Sequence, residues 1–314
     1  MSKIFLPIVV GPTASGKTKL GVELAKLNDG EVVSCDSMQI YKEMDIATAK
    51  PTVSEMQNIP HHLISVIEPN IRFSVADYKK LADNVIADIN SRGKTPIMVG
   101  GTGLYADTVA DNIVFSDNET DLELRHKLQD VAKEKGNAYM HAWLERIDKD
   151  TANELHENNI GRVIRAIEIY EQTGIPMSVH KINSRKVETP YQPCYIGLDF
   201  EDRQVLYERI NKRVDEMVKN GLLAEAENDY KNHSNMYTSV QAIGYKELIP
   251  YFEGTQTLSD CVETIKLRTR QYAKRQLTWF RKNDRIHRIF VDKYSNFNNI
   301  LNIAQKYIEN YKKV

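Results

Sequence analysis

A stretch near the start of the chain has the residue types and spacing of a phosphate-binding loop. Residues 11–18 read G-P-T-A-S-G-K-T, which matches the pattern G-x-x-x-x-G-K-[ST]. Backbone N–H groups of such a loop form a concave anion site, and the helix that follows adds about half a positive charge. Lys17 can reach phosphate oxygens, and the Thr18 hydroxyl is placed to bind Mg²⁺ as cofactor. We therefore predict that a diphosphate or triphosphate binds to Gly11, Pro12, Thr13, Ala14, Ser15, Gly16, Lys17 and Thr18.

A carboxylate after the next apolar run is the candidate for acid–base chemistry. Residues 31–35 predict a short buried strand, and Asp36 follows it. Ligands of a parallel sheet bind at the carboxyl ends of its strands, so Asp36 is expected beside the phosphate-binding loop. From the residues alone, Asp36 is either a general base or a ligand of Mg²⁺. Asp199 ends another predicted strand and could also approach the metal.

A second glycine-rich stretch follows a strand. Residues 96–99 predict the strand, and residues 100–105 read G-G-T-G-L-Y. Three glycines at a strand end indicate either backbone brought close to a ligand or a tight strand-to-helix turn. Both interpretations remain open at this point.

The elements around these motifs predict an α/β protein. Apolar runs at 4–10, 31–35, 96–99, 195–199 and 286–291 are typical of buried strands, and helical periodicity separates them. Residues 116–193 have no clear strand and are charged and helical. We predict a P-loop core with a parallel sheet flanked by helices, at 1–115 and 194–314. An all-helical domain is inserted between these two parts at 116–193.

A basic helix is predicted near the end of the chain, over residues 259–282. Residues 266–288 contain nine Lys or Arg and one acid, Asp284, although the whole chain has a net charge of −1. A charge run is ordinarily a solvated helix face. Aromatic residues interleaved with the basic ones also suit binding of a nucleic-acid backbone beside base stacking. The basic side chains of interest are Lys266, Arg270, Lys274 and Arg281.

The cysteines and the hydropathy of the sequence indicate which cellular compartment to expect. The three cysteines are far apart, with no C-x-x-C pair, so neither a zinc site nor a disulfide framework is indicated. The N-terminal apolar run is too short for a signal peptide, and no segment reaches membrane-spanning length. We expect a cytoplasmic protein with no membrane partner.

Three classes of protein use this kind of phosphate-binding loop. A guanine-nucleotide switch needs N-K-x-D, and the nearest string, residues 211–215, is one residue too long. A small-molecule or nucleoside kinase needs an acceptor site and arginines on a lid, for which Arg162 and Arg165 could serve. The third class transfers a group other than phosphate and uses the loop to hold a diphosphate leaving group.

Several strings, in order along the chain, closely resemble those of the bacterial tRNA dimethylallyltransferases (tRNA isopentenyltransferases). Besides the phosphate-binding loop, they are D-S-M-Q-I-Y at 36–41, T-A-K-P at 48–51, H-H-L-I at 61–64, G-G-T-G-L-Y at 100–105, R-x-x-R-A-x-E at 162–168, G-x-P-x-S at 174–178, Q-A-I-G-Y-K at 241–246 and Q-x-x-W-F-R at 276–281. The chain departs from the family where H-P-N-D and a Gln are usual, since it has H-E-N-N at 156–159 and Gly161.

The resemblance implies an enzyme that transfers a dimethylallyl group from dimethylallyl diphosphate to N6 of the adenosine 3′-adjacent to the anticodon of tRNA. Its partners would be that anticodon stem-loop and the diphosphate, and the enzyme would be a monomer. The alternative is a P-loop small-molecule or nucleoside kinase.

The resemblance also implies roles for individual residues. Asp36 would be the base, Thr102 would place a hydroxyl beside it, and Lys17 would stabilise the leaving diphosphate. Asp36, Ser37, Met38, Gln39 and Thr102 would contact the target adenosine. Further tRNA contacts are implied at Arg125, Arg162, Val163, Arg165, Gln241, Gly244 and Lys246, and the basic helix adds Lys266, Arg270, Lys274 and Arg281.

Overall fold

A six-stranded parallel sheet forms the centre of the larger part of this protein. The structure is a computed structural model that describes residues 3–115, 121–232 and 241–312. The strands are β1 Ile4–Val10, β2 Gly30–Ser34, β3 His61–His62, β4 Thr95–Gly100, β5 Tyr191–Asp199 and β6 His287–Phe290. They are hydrogen-bonded in the order β3-β2-β4-β1-β5-β6, and every pair is parallel. The prediction of a parallel sheet flanked by helices is confirmed.

Fourteen α-helices belong to the described residues. They are α1 Lys17–Leu27, α2 Val53–Met56, α3 Val75–Ser91, α4 Gly103–Ala110, α5 Leu122–Lys135, α6 Asn137–Ile147, α7 Lys149–Glu154, α8 Ile160–Thr173, α9 Met177–Asn183, α10 Arg203–Lys219, α11 Leu222–Asn232, α12 Ile249–Phe252, α13 Leu258–Phe280 and α14 Phe297–Tyr311. Within the described ranges, none of them has both the length and the apolar character needed to cross a bilayer.

Helices cover both faces of the sheet, which is why its central strands are apolar on both sides. On one face, the fully buried Tyr78 and Ile86 of α3 belong to the same apolar cluster as Leu6 and Ile8 of β1. On the other face, α1, α10 and α14 contribute apolar side chains to a second cluster, which includes Val9 of β1. The sheet is therefore held between two apolar layers.

Contacts divide the chain into two compact units. The first contains residues 1–110 and 189–314, and the second contains residues 111–188. The second unit has its own apolar core, which includes Leu128, Met140, Leu144 and Ile167. Its described residues form helices α5–α9 and no strand. The sequence-based boundary at Ser116 lies outside the described residues.

Strand β5 begins at Tyr191, four residues before the predicted start at Tyr195. Pro193 obscured this beginning, because proline is disfavoured inside a sheet. In the structure Pro193 pairs with Leu6 of β1, whereas β6 joins β5 only from Ile196 onward. Pro193 therefore lies on a locally unpaired edge, where a missing N–H is tolerated.

Candidate active site

The phosphate-binding loop lies between β1 and α1, as its sequence predicts. Lys17 Nζ donates to the carbonyl oxygen of Pro12 at 2.6 Å inside the loop. Burial, and then the nearby Arg213 guanidinium, lower the pKa of Lys17 to about 8. The Ser15 hydroxyl is buried and has no hydrogen-bond partner among the residues that the structure describes. A confined ammonium and an unpaired hydroxyl are the groups that an anion entering this loop would engage.

Two side chains that hold this loop had no role in the sequence-based prediction. Gln276 of α13 accepts from Thr13 N at 2.9 Å and donates to the Gly101 carbonyl at 3.0 Å. It therefore ties the phosphate-binding loop to the second glycine-rich stretch. Gln276 begins the Q-x-x-W-F-R string, which was its only signal in the sequence.

The second missed side chain is Arg213 of α10. Its guanidinium donates to Thr13 Oγ1 at 3.2 Å and to the Ala49 carbonyl at 3.4 Å. Burial lowers the pKa of Arg213, but an arginine remains charged at neutral pH. In the sequence, Arg213 lies inside the 211–215 string, which differs from a guanine-recognition motif by one residue and gives no sign of a contact to the loop. Its cationic group lies beside the loop and is placed to share the charge of a bound diphosphate.

Asp36 follows β2 and lies beside Thr102, which follows β4. Asp36 Oδ1 accepts from the backbone N–H groups of Met38 at 2.9 Å and Gln39 at 3.3 Å. These bonds orient the carboxylate, and Oδ2 accepts no hydrogen bond from the residues that the structure describes. Thr102 Oγ1 accepts from Ser37 N at 3.0 Å and donates to Ser37 Oγ at 3.2 Å. Strands β2 and β4 are neighbours, so residues far apart in sequence meet here.

The glycines around Thr102 make room for protein atoms. A Cβ added at Gly101 would lie 2.2 Å from Gln276 Nε2, and one added at Gly103 would lie 2.2 Å from Trp279 Cδ1. The close approach is thus to side chains of α13, which agrees with the tight strand-to-helix turn and not with backbone held against a ligand. Gly101 and Gly103 allow α13 to pack directly on this turn.

A cleft of about 290 Å³ connects these groups. Its polar wall includes Thr13, Lys17, Thr18, Asp36 and Arg213. Apolar side chains form much of the remaining lining, namely Ile210, Val214, Met217, Leu222, Ile243 and Ile265. The cleft can therefore accommodate a ligand that has an anionic group at the loop and an apolar group along α10 and α13.

The structure offers few metal ligands of its own. Across residues 3–115, 121–232 and 241–312, no three His, Cys, Asp or Glu side chains are grouped so as to hold a metal. Asp199, which could have approached the metal, instead accepts from Phe200 N at 2.8 Å and pairs with Arg281 at 3.3 Å. Mg²⁺ commonly binds through few protein groups plus substrate phosphates. The described donors fit Mg²⁺ in that way, through Thr18, with or without Asp36, and a bound diphosphate.

Basic side chains of α13 differ in what they face. Lys266 pairs with Asp215 at 2.7 Å and Glu263 at 2.9 Å and is only 13% exposed. Arg270 donates to Asn211 Oδ1 at 2.6 Å. Both therefore face α10, whereas Lys274 is exposed, as is Arg281 just after the helix. Acid and amide groups on α10 offset the repulsion between like charges four residues apart.

The predicted tRNA-binding residues of the second unit also differ in how far their side chains are exposed. Glu168 is fully buried and is bound by Arg125 at 2.9 Å and Arg165 at 2.8 Å. Arg162 is exposed on α8. Val163 has no exposed surface and belongs to the core of the unit, and its role as an RNA contact stays a prediction.

Residues of the Q-A-I-G-Y-K string reach the cleft. Gln241, Gly244 and Lys246 all line it, and Gln241 and Lys246 are exposed. Gly244 is buried, and its N–H donates to Glu247 Oε2 at 2.8 Å. The string thus places one cation and one amide at the edge of the cleft, with the glycine as part of the supporting turn.

Comparison with known proteins agrees with this geometry. The sequence profile described as IPP transferase matches residues 39–283. The chain is 48% identical over 307 residues to the tRNA dimethylallyltransferase of Thermoanaerobacter sp. (strain X514), covering 97% of this chain and 98% of that protein. It is 50% identical over 274 residues to the tRNA dimethylallyltransferase of Bacillus subtilis (strain 168), covering 87% of each.

Solved structures give the same result. The full-length tRNA isopentenylpyrophosphate transferase of Bacillus halodurans superposes with a TM-score of 0.73 at 42% identity, covering 99% of each chain. A eukaryotic dimethylallyltransferase acting on tRNA superposes with a TM-score of 0.80 at 30% identity, covering 99% of this chain and 80% of the other. These proteins are similar to this chain over nearly its whole length.

Proposed function

This chain belongs to the tRNA dimethylallyltransferase family, and from that premise we propose that it transfers a dimethylallyl group from dimethylallyl diphosphate to N6 of the adenosine 3′-adjacent to the anticodon. The products are N6-(dimethylallyl)adenosine in tRNA, diphosphate and one proton. The observation that carries the proposal is one cleft that joins a phosphate-binding loop, an apolar wall and an oriented carboxylate.

The loop is proposed to hold the leaving diphosphate. The allylic C–O bond breaks with carbocation character at carbon, so negative charge develops on the departing oxygens. Loop N–H groups, the Lys17 ammonium and the Arg213 guanidinium are placed to stabilise that charge. Mg²⁺, held by Thr18 and the substrate, would supply further neutralisation. The apolar wall would enclose the five-carbon tail and exclude water from the cation.

Asp36 is proposed to accept the proton from N6. A carboxylate is too weak a base to deprotonate a neutral exocyclic amine before reaction. It can accept the proton as the C–N bond forms and the nitrogen becomes acidic, which is worth about 10²–10⁴-fold in rate. The two backbone N–H bonds on Oδ1 leave Oδ2 available for this transfer. We favour this role over that of metal ligand, and Thr102 would position Ser37 beside it.

Contacts to tRNA are proposed from exposure and charge. Ser37, Met38 and Gln39 line the cleft beside Asp36 and would contact the target adenine. Among the cationic side chains, we propose Arg162, Lys246 and Lys274 as contacts to the tRNA backbone, because all three are exposed and none pairs with a carboxylate of the described residues, whereas the exposed Arg281 pairs with Asp199. Lys266 and Arg270 instead hold α13 against α10. We further propose that one monomer binds one tRNA.

The test is transfer of radiolabel from dimethylallyl diphosphate to tRNA. Asp36→Asn should retain binding of diphosphate with Mg²⁺, measured by calorimetry, while its transfer rate falls by about 10²–10⁴-fold. Asp77→Asn is the control, since Asp77 is an exposed capping residue of α3 outside the cleft. If Asp36→Asn loses metal-dependent binding, Asp36 is a metal ligand. If no label enters tRNA while ATP is consumed on a metabolite, the protein is a kinase.

A further inference from the structure

Glu225 of α11 accepts hydrogen bonds from the backbone of a loop that forms one wall of the cleft. Its Oε2 accepts from Asp45 N at 2.9 Å and from Ile46 N at 2.8 Å, and its Oε1 accepts from Ala47 N at 3.0 Å. Three consecutive amides thus converge on one carboxylate. Charged acceptors make hydrogen bonds roughly twice as strong as neutral ones, so this arrangement fixes the loop firmly.

The segment that follows those amides, residues 48–49, orients side chains of the active site. Gln39 Nε2 donates to the carbonyl oxygens of Thr48 at 3.2 Å and Ala49 at 3.1 Å. The Ala49 carbonyl also accepts from Arg213, whose other amino group bonds to Thr13 of the phosphate-binding loop. A displacement of residues 45–49 would therefore move Gln39 and Arg213 together.

A tyrosine and a second acid complete the arrangement around Glu225. The buried Tyr245 hydroxyl donates to Glu225 Oε1 at 2.6 Å, and the Asp229 carboxyl lies close by. Asp229 is 4% exposed, and its Oδ2 has no partner among the described residues. Tyr245 lies between Gly244 and Lys246, which line the cleft, and a Cβ at Gly244 would be 3.1 Å from Ala47 Cβ. Tyr245 thus links two segments of the cleft wall.

We propose that Glu225 is a positioning residue for the transfer reaction, because it sets the 45–49 loop and through it the placement of Gln39 and Arg213. The inference rests on the proposed function. Glu225 is not among the residues that line the cleft, so its effect on the reaction is indirect. Tyr245 supports it by donating to the same carboxylate.

Glu225→Gln turns one acceptor oxygen into an amino group that faces a backbone N–H, and so releases part of the loop. The expected result is a fall in kcat on the order of 10–100-fold and a rise in KM for dimethylallyl diphosphate, since misplacement of about 1 Å costs that much. Affinity for tRNA should stay within about twofold, because among the proposed backbone contacts only Lys246 is next to a residue that bonds Glu225. Tyr245→Phe removes one donor, keeps all three amide bonds and should lower kcat about 2–10-fold.

Asp292→Asn provides the matched control. Asp292 also receives two consecutive backbone N–H groups, from Glu201 at 3.1 Å and Asp202 at 2.7 Å, and it does not line the cleft. Asp292→Asn should lower Tm while kcat and KM stay unchanged well below Tm.

Steady-state transfer of labelled dimethylallyl into tRNA, measured well below each Tm, separates the outcomes. Wild-type kinetics in Glu225→Gln, or a kcat loss equal to that of Asp292→Asn, overturns the positioning role. If Glu225→Gln does not fold, unchanged kcat and KM in Tyr245→Phe overturns it. Absence of transfer by the wild type, with any variant, overturns the proposed function instead.

Discussion

The pKa of Lys17 gives the sharpest quantitative test of the phosphate-binding loop. Its burial beside Arg213 lowers the pKa to about 8 in the ligand-free protein. About nine-tenths of the molecules then carry a charged Lys17 at pH 7 and about one-tenth at pH 9. A bound diphosphate raises the pKa of Lys17, so binding takes up a proton above pH 8. The contribution of Lys17 to diphosphate affinity should fall about tenfold from pH 7 to pH 9.

Calorimetric titration with inorganic pyrophosphate and Mg²⁺ measures this dependence. Pyrophosphate titrates in the same range, so Lys17→Arg is the reference, because arginine stays charged at every pH used. The ratio of the two dissociation constants cancels the titration of the ligand. It should be flat below pH 7 and change by about tenfold by pH 9. A ratio that does not change with pH would refute the assignment of Lys17 as a confined, titrating contact to the diphosphate.

The lowered pKa of Lys17 also makes the stability of the ligand-free protein depend on pH. The folded-state pKa of Lys17 lies below its unfolded value, so the unfolded chain binds more protons between about pH 8 and pH 10.5. Stability of the wild type relative to Lys17→Met should therefore rise with pH across that window. A relative stability that falls there would contradict the burial of the charged group.

Two further predictions concern stability at low pH and binding of tRNA. Glu31 is 3% exposed, and its pKa is lowered to about 2, chiefly by hydrogen bonds from Arg92. The ionised Glu31 therefore stabilises the folded protein above about pH 4.5, and this contribution is lost as the pH falls towards 2. In urea unfolding, the stability difference between wild type and Glu31→Gln should shrink by about 2 kcal/mol from pH 6 to pH 3, and a constant difference would exclude this linkage. Lys274→Gln should reduce the salt slope of tRNA binding by about 0.7–0.9, whereas Lys266→Gln should leave it unchanged and lower Tm. Equal slopes for the two variants in filter binding at several salt concentrations would show that exposure does not decide which lysine meets the RNA.

The sequence by itself determined those motifs and helices of this protein that neighbouring residues form. The phosphate-binding loop is a continuous string whose neighbouring apolar runs predict a strand and a helix, and β1 and α1 are found there. The capping box of Ser74 and Asp77 predicts where α3 begins, and periodic apolar residues predict α10 from Arg203 to Lys219. These features can be recognised in the sequence because their hydrogen bonds and side-chain contacts join residues only a few positions apart.

Only the tertiary structure decided which distant groups meet. Gln276 bonds to Thr13 across 263 positions, and Thr102 bonds to Ser37 across 65, so both depend on the order of strands and the packing of α13. Lys266 and Lys274 belong to one basic helix, yet α10 supplies Asp215 to the first and leaves the second in solvent. A periodic pattern specifies a helix face, whereas the neighbour that covers that face is set by the packing of the whole sheet.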